Sequence, residues 1–340
     1  AVPERSLTQA ESFAILQQPE LRAKLSRRST LILQSILHGD SGIERRHFAI
    51  PDVEGVWRRT ADELNEAFRV EGPKLASRAL EAALRQAGLK VDQLDALLIC
   101  TCTGYLCPGL TSYVSEQLGL RPNAWLQDLV GLGCGAAIPL LRAGQAVLAA
   151  QPGAIVACVA VEICSAAFYV DDDPGVLVSA CLFGDGAAAS IWRSTPGAMG
   201  LRCHGFNTLH QPAYRDFIRF ETRNGRLRNL LRPEVPGLAA KAVRQLLDED
   251  KLTEGERPIS RLISHTGGRD VLDAIEGACP GNVLDASRTV LRDYGNMSSP
   301  SVLFALAEAL RDGSRPDESN DWWLVAFGAG FSAHSCRISG

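Results

Sequence analysis

Cys134 stands between two glycines in "GLGCGAA", where an apolar stretch turns into a helical pattern. A thiol at a helix start meets free backbone N–H groups and the positive end of the helix dipole, and both favour thiolate. Gly133 and Gly135 permit a sharp turn and leave room for a substrate. The ordinary role of a cysteine in an apolar run is that of a small core residue; the turn-to-helix setting sets Cys134 apart. A nucleophilic cysteine needs a base or an ion-pair partner. Among six histidines, His265 ends the strand-like "ISRLISH" and is followed by "TGG". That places it at the carboxyl end of a strand, where α/β sheets open a crevice. His38 and His47 lie among charged residues, and His204, His210 and His334 suit surface or hydrogen-bonded core positions. Asn296 in "YGNMSSPS" follows a turn glycine directly before a long helix. Its amide can donate to an oxyanion without titrating, although asparagine at such a turn is also an ordinary cap. Each of the three is ambiguous alone; their shared setting, each at a junction opening onto a plausible common cleft, raises the combination.

The elements that must position them read as alternating strands and helices. "LDALLICTCTG" and "AIVACVAVEICS" are buried strands feeding loops. Between them "CGAAIPLLRAGQAVLAA" has helical spacing and almost no charge, which predicts a helix buried all round, with Pro139 in its second turn as a possible kink. "FGDGAAASIW" reads as a turn and a strand, "RFETRNGRLRNLL" as a hairpin about Asn224-Gly225, and "RDVLDAIEGA" as a helix. "SPSVLFALAEALRDG" predicts a helix over 299–313, and "WWLVAFGAGFSAHSCRIS" predicts two closing strands. Strands and helices alternating in two successive blocks predict an α/β protein of duplicated halves, divided as 1–193 and 194–340.

With 340 residues, 46% of them hydrophobic, and a formal charge of −4, the chain can bury a large core and carries no run of basic residues for nucleic acid. Ten cysteines spread through apolar runs predict a reducing, cytoplasmic setting rather than a disulfide scaffold. No apolar run is long enough to span a bilayer, and no membrane partner is expected. The cysteines Cys100, Cys102 and Cys107 lack a matching Cys/His pair, so no metal site is expected.

The chain resembles the chalcone synthase-like type III polyketide synthases of the thiolase fold. The likeness rests on Cys134 in "GLGCGAA", "LFGDGAAA" from Leu182, "VPGLAAKAV" from Val235, "SHTGGRDVLDAIE" from Ser264 and "DYGNMSSPSVLF" from Asp293. It implies two duplicated α/β halves in a layered α-β-α-β-α arrangement and a homodimer. It implies that Cys134 takes an acyl group from an acyl-CoA starter and that His265 holds Cys134 as thiolate. His265 with Asn296 would stabilise the enolate left when malonyl-CoA loses carbon dioxide. No cofactor is implied beyond the coenzyme A thioester substrates. Phe183 matches the gatekeeper between the coenzyme A tunnel and the cavity. Ser298, Cys102, Cys164 and Ala167 match cavity-shaping positions, and Cys107, before Pro108, matches a loop that reaches the partner's cavity.

Departures from the family are informative. A second gatekeeper phenylalanine is replaced by Asn229 or a close neighbour, and "GFGPG" reads "AFGAG" at Ala326–Gly330. The lysine/arginine set that meets coenzyme A phosphates in plant relatives is not matched in register: the region reads "TLILQSILHGD". The start at "AVPERSLTQAE" is expected to follow a missing N-terminal segment. With Asn229 or a neighbour in place of a bulky aromatic, and with Ala167 small, a long aliphatic starter giving a pyrone or resorcinol is expected. The alternatives are a malonyl-CoA-only polyhydroxynaphthalene synthase and a β-ketoacyl synthase III-like enzyme.

Overall fold

The computed structural model describes residues 1–169, 172–194, 200–253, 257–311 and 313–340. A prelude of β1 (Ser6–Thr8), α1 (Gln9–Leu16), α2 (Pro19–Arg22), α3 (Arg27–Leu37) and β2 (Arg45–His47) precedes the first sheet. Then come α4 (Ala61–Ala87), β3 (Ala96–Cys100), α5 (Leu110–Leu118), β4 (Trp125–Leu129), α6 (Ala137–Ala150), β5 (Ile155–Glu162), α7 (Pro174–Leu182) and β6 (Gly186–Arg193). The second half holds β7 (Arg202–His210), the hairpin β8 (Ile218–Arg223) and β9 (Arg226–Leu231), and α8 (Val235–Thr253). It closes with β10 (Ile259–Ser264), α9 (Arg269–Ala278), α10 (Asp285–Tyr294), α11 (Ser301–Ala309), β11 (Asp321–Gly328) and β12 (Ser332–Ser339).

Two four-stranded sheets result, ordered β4-β3-β5-β6 and β10-β11-β12-β7. Successive side chains of a strand point to opposite faces, and both faces here are covered. Leu97, Ile99, Ala157 and Val159 join Phe68, Leu80 and Leu84 under α4. Leu98, Cys100, Val156 and Cys158 face the other way, onto Ile138, Leu140 and Leu141 of α6. On the second sheet Leu324 and Ala326 share that inner core, while Trp323, Val325 and Phe327 meet Val243 and Leu272 of α8 and α9. Full burial of each such large side chain contributes about 1.5–3 kcal/mol. Helices α6 and α11 lie between the sheets, α4 and α5 outside the first, and α8 and α9 outside the second. This is the layered α-β-α-β-α arrangement.

The duplication is visible in the pairing. In the first half β3 runs parallel to β5, which runs antiparallel to β6; in the second, β10 runs parallel to β11, which runs antiparallel to β12. The segment with Cys134 leads into α6 and the segment with Asn296 leads into α11, so the two residues hold equivalent places. The hairpin is as expected: Asn224 and Gly225 both take positive φ, 52° and 73°, as a two-residue connection of this twist requires.

Several expectations are corrected. Helix α6 is not buried all round: Arg142, Gln145, Ala146 and Ala149 face solvent in the single chain. Pro139 is its third residue, where no intrahelical N–H bond is due, so it replaces nothing. Helix α11 is shorter than the 299–313 pattern, ending at Ala309, and Asp312 lies outside the described residues. Strand β4 and the long helix α4 were not anticipated. The first is a half-exposed edge strand without clean alternation. The second carries Pro73 in its interior, yet is fixed by a Thr60–Glu63 capping box and a left-handed Gly88.

Candidate active site

Cys134 sits in a tight turn, Gly133–Gly135, immediately before α6, and is 4% exposed. The strand end of β11 presses on this turn. A Cβ on Gly328 would lie 2.5 Å from the Gly135 nitrogen and 2.9 Å from that of Cys134, so only glycine fits. His265 follows the last residue of β10, with its N–H bonded to the Val325 carbonyl at 2.9 Å. Asn296 is tied to the end of α7: its N–H meets the Leu182 carbonyl at 2.9 Å, and its carbonyl receives the Gly184 N–H at 3.0 Å. Phe183 is thereby bridged to Asn296.

Cys134, His265, Asn296, Phe183 and Asn229 line one cavity of about 490 Å³, with Phe327 and Ala329 beside them. The resemblance therefore names residues from both halves that share one space. The orientation of Asn296 is fixed: its Oδ1 accepts from the Ser298 N–H at 2.8 Å, which leaves Nδ2 as the donor end, one of its N–H groups donating to the Gly267 carbonyl at 3.5 Å. Ser298 reaches this geometry with a left-handed φ of 59°. An L-residue held there costs about 1 kcal/mol.

Ser298 is also the polar neighbour of the sulfur. Its Oγ lies 3.2 Å from Cys134 Sγ and 3.2 Å from Cys102 Sγ. Burial pushes the Cys134 thiol up to about 12, against the pull of the Ser298 hydrogen bond and with a further push from Glu162. Burial alone pushes His265 down to about 3, and its Nδ1 has no partner among the described residues. Burial thus opposes charge on each group taken alone, and an ion pair between them must offset that cost. The imidazole is a base to which the sulfur's proton can pass.

The remaining expected site residues lie off the cavity lining. Cys102 is behind Ser298. Cys164 and Ala167 begin and end a tight turn after β5, Cys164 buried and Ala167 half-buried. Cys107 is exposed at the surface before Pro108. Asn229 is buried, and its Nδ2 donates to Ser179 Oγ at 2.6 Å, so it closes the wall with α7 rather than leaving it open.

Two supporting residues escaped the sequence reading. Glu162, at the end of β5, is wholly buried and accepts from Thr101 Oγ1, the Cys102 N–H, the Thr103 N–H and Oγ1, and Ser299 Oγ, at 2.6–3.1 Å. It pins the loop after β3 to the segment carrying Ser298. Asp185 of "FGDG" accepts from the Ala49 N–H and from the N–H and Oγ of Ser165, and burial pushes its carboxyl up to about 6. The available signal was a lone acid inside an apolar run, which must be either paired or functional.

A thiol at the head of one central helix that shares a cavity with a histidine and an asparagine amide from the other half fits a condensing enzyme of the thiolase fold. The chain belongs to the chalcone and stilbene synthase family: that family's N-terminal domain matches residues 17–196 and its C-terminal domain residues 213–339. It is accordingly a type III polyketide synthase, an acyltransferase. It is 31% identical over 317 residues to a 3,5-dihydroxyphenylacetyl-CoA synthase of Amycolatopsis orientalis, covering 90% of this chain and 82% of that one. It is also 31% identical over 308 residues to a 1,3,6,8-tetrahydroxynaphthalene synthase of Streptomyces peucetius subsp. caesius, covering 87% and 81%. The solved 1,3,6,8-tetrahydroxynaphthalene synthase of Streptomyces coelicolor A3(2) superposes with a TM-score of 0.85 at 24% identity, covering 100% of this chain and 97% of the other.

Proposed function

We propose that the protein loads an acyl group from a coenzyme A thioester onto Cys134 and extends it with malonyl-CoA, starting from malonyl-CoA itself, to give a polyhydroxylated aromatic product. The observation that carries this is the convergence of Cys134, His265 and the Nδ2 end of Asn296 on one cavity. The sulfur attacks the thioester carbonyl as its proton moves to His265, and coenzyme A leaves with that proton. Malonyl-CoA then loses carbon dioxide, and the electrons of the broken C–C bond form an enolate held by donors from His265 and Asn296. The enolate carbon attacks the Cys134 thioester, the Cys134 thiolate departs, and the chain has grown by two carbons. None of the three steps requires a metal or organic cofactor.

The choice of starter rests on the walls. The long-chain reading depended on space at Ala167 and Asn229; Ala167 is off the cavity and Asn229 is held by Ser179. Both product names among the relatives describe skeletons that two-carbon units alone can build. The test is turnover of pure protein with malonyl-CoA alone and with starters from acetyl- to palmitoyl-CoA, followed by mass spectrometry. A kcat/KM that climbs with chain length restores the aliphatic reading.

A homodimer is part of the proposal. Strand β4 has a free edge, and Tyr105, Trp125 and Val130 are exposed at 77%, 48% and 52% around it and the Cys107–Pro108 loop. Such a cluster of apolar groups suits an interface between copies. A cytoplasmic location is supported by ten free cysteines. No helix among the described residues is long and apolar enough to cross a membrane.

A further inference from the structure

The cavity that holds the triad opens to solvent between the end of α3 and the loop after β9, and its rim is charged. The α3 side contributes Ser35, Ile36, Asp40 and Ser41, with no cation among them. The facing side contributes Arg219, Arg232 and Arg269, together with Asp270. Two of these arginines are already engaged. Arg219 pairs with Asp216 at 3.1 Å and with Glu221 at 3.0 Å. Arg269 pairs with Asp40 across the opening and with its neighbour Asp270, both at 3.3 Å. Arg232 is exposed, and among the described residues its guanidinium has no carboxylate or hydrogen-bond partner. Its backbone is held: the N–H donates to the Phe217 carbonyl at 2.9 Å, and the carbonyl accepts from the Val235 N–H at 3.2 Å.

Coenzyme A thioesters carry their anionic charge on a diphosphate and a 3′-phosphate at the end of a neutral arm. An arm reaching from Cys134 to the opening leaves those phosphates at the rim. We propose that Arg232 is the phosphate-binding residue of the coenzyme A substrates, and that Asp40 restrains Arg269 from joining it. This rests on the coenzyme A-dependent reading above and adds where the charge is recognised: on the second-half rim, not on α3. An unpaired guanidinium matches phosphate geometry bidentately and has no prior partner to give up. Asp40 acts in the opposite sense, since it repels the incoming phosphates and neutralises Arg269.

The test compares malonyl-CoA with malonyl-pantetheine, which keeps the arm and lacks the phosphates. Arg232→Ala is expected to raise KM for malonyl-CoA by about fivefold, as befits an exposed ion pair, and to leave KM for malonyl-pantetheine in place. Arg232→Lys should fall between the two. Asp40→Asn should lower KM for malonyl-CoA, by roughly two- to threefold, again without effect on malonyl-pantetheine. Both shifts should shrink as salt is raised. Equal effects of Arg232→Ala on the two substrates, no effect on either, or a rise in KM on Asp40→Asn would overturn the assignment. If the wild-type protein turns over neither thioester, the polyketide reading falls instead. Calorimetric binding of coenzyme A, dephospho-coenzyme A and pantetheine to wild type and Arg232→Ala then still decides the rim, and separates the 3′-phosphate from the diphosphate.

Discussion

Ser298, rather than His265, is the side chain hydrogen-bonded to Cys134 Sγ, and that places a sharp demand on mutants. Cys134→Ala should abolish acyl-enzyme formation, read by intact-protein mass spectrometry after mixing with malonyl-CoA; a persisting adduct would move the nucleophile elsewhere. Ser298→Ala removes the hydrogen bond that pulls the Cys134 thiol down from its burial-raised value. Its pKa should rise by up to about one unit, and iodoacetamide alkylation at fixed pH should slow by up to tenfold. His265→Ala should suppress malonyl-CoA decarboxylation, because its imidazole is the donor proposed for the enolate. A Cys134 alkylation profile displaced to higher pH in the same variant would show that the imidazolium also holds a resting thiolate.

Segments meet at the site through backbone contacts that tolerate little change. Gly328 at the end of β11 lies against the Cys134 turn, and a methyl there must push backbone, not a flexible side chain. Gly328→Ala should therefore cost more than a hundredfold in kcat/KM through misplacement of Cys134, with the fold retained by circular dichroism. Glu162 makes a different prediction. Four of its five donors share Oε2, while Ser299 Oγ meets Oε1 at 2.6 Å. A glutamine can keep its oxygen on the four and turn its NH₂ to Ser299, whose hydroxyl can accept. Glu162→Gln should thus be mild. Glu162→Ala strands the buried N–H of Thr103 and the half-buried N–H of Cys102, and should destabilise by about 3 kcal/mol in urea unfolding. Equal losses in both variants would show that charge, not donor satisfaction, matters at this position.

Across the molecule, buried titratable groups set the acid limit. His265 is pushed to about 3 and His334 to about 4, both by burial first, from an unfolded value near 6.5. Below pH 6.5 the unfolded chain binds protons that the folded chain refuses, so this stability is present above 6.5 and lost as pH falls toward 3–4. Asp185 works the other way: raised to about 6, it takes its proton earlier when folded, and its contribution is lost as pH rises from 3.8 through 6. Two histidines against one aspartate give a net loss of stability on acidification below 6.5. Replacing His334 with Asn should flatten the dependence of urea midpoints on pH between 6.5 and 4; an unchanged slope would remove burial as its cause. At this scale the exposed Tyr105, Trp125 and Val130 also predict a dimer at micromolar concentration in sedimentation. A monomer there would require another role for that face.

The sequence by itself determined the family, the layered fold and the three residues that converge. A cysteine at a glycine turn, a histidine at a strand end and an asparagine before a helix are local placements, and local chemistry can be read from neighbours along the chain. It also marked the hairpin, because the Asn224-Gly225 turn is chosen by its own backbone. What it did not determine is everything that depends on distance through space. Whether His265 is charged follows from how much water its surroundings exclude, and Ser298 came to the sulfur because Asn296 and Glu162 fold its segment back across the halves. Asn229 closes a wall because Ser179 stands opposite it, and Arg232 is unpaired because no carboxylate of another element among the described residues reaches it. Such properties belong to groups far apart in the chain, and only the packed structure decides which of them meet.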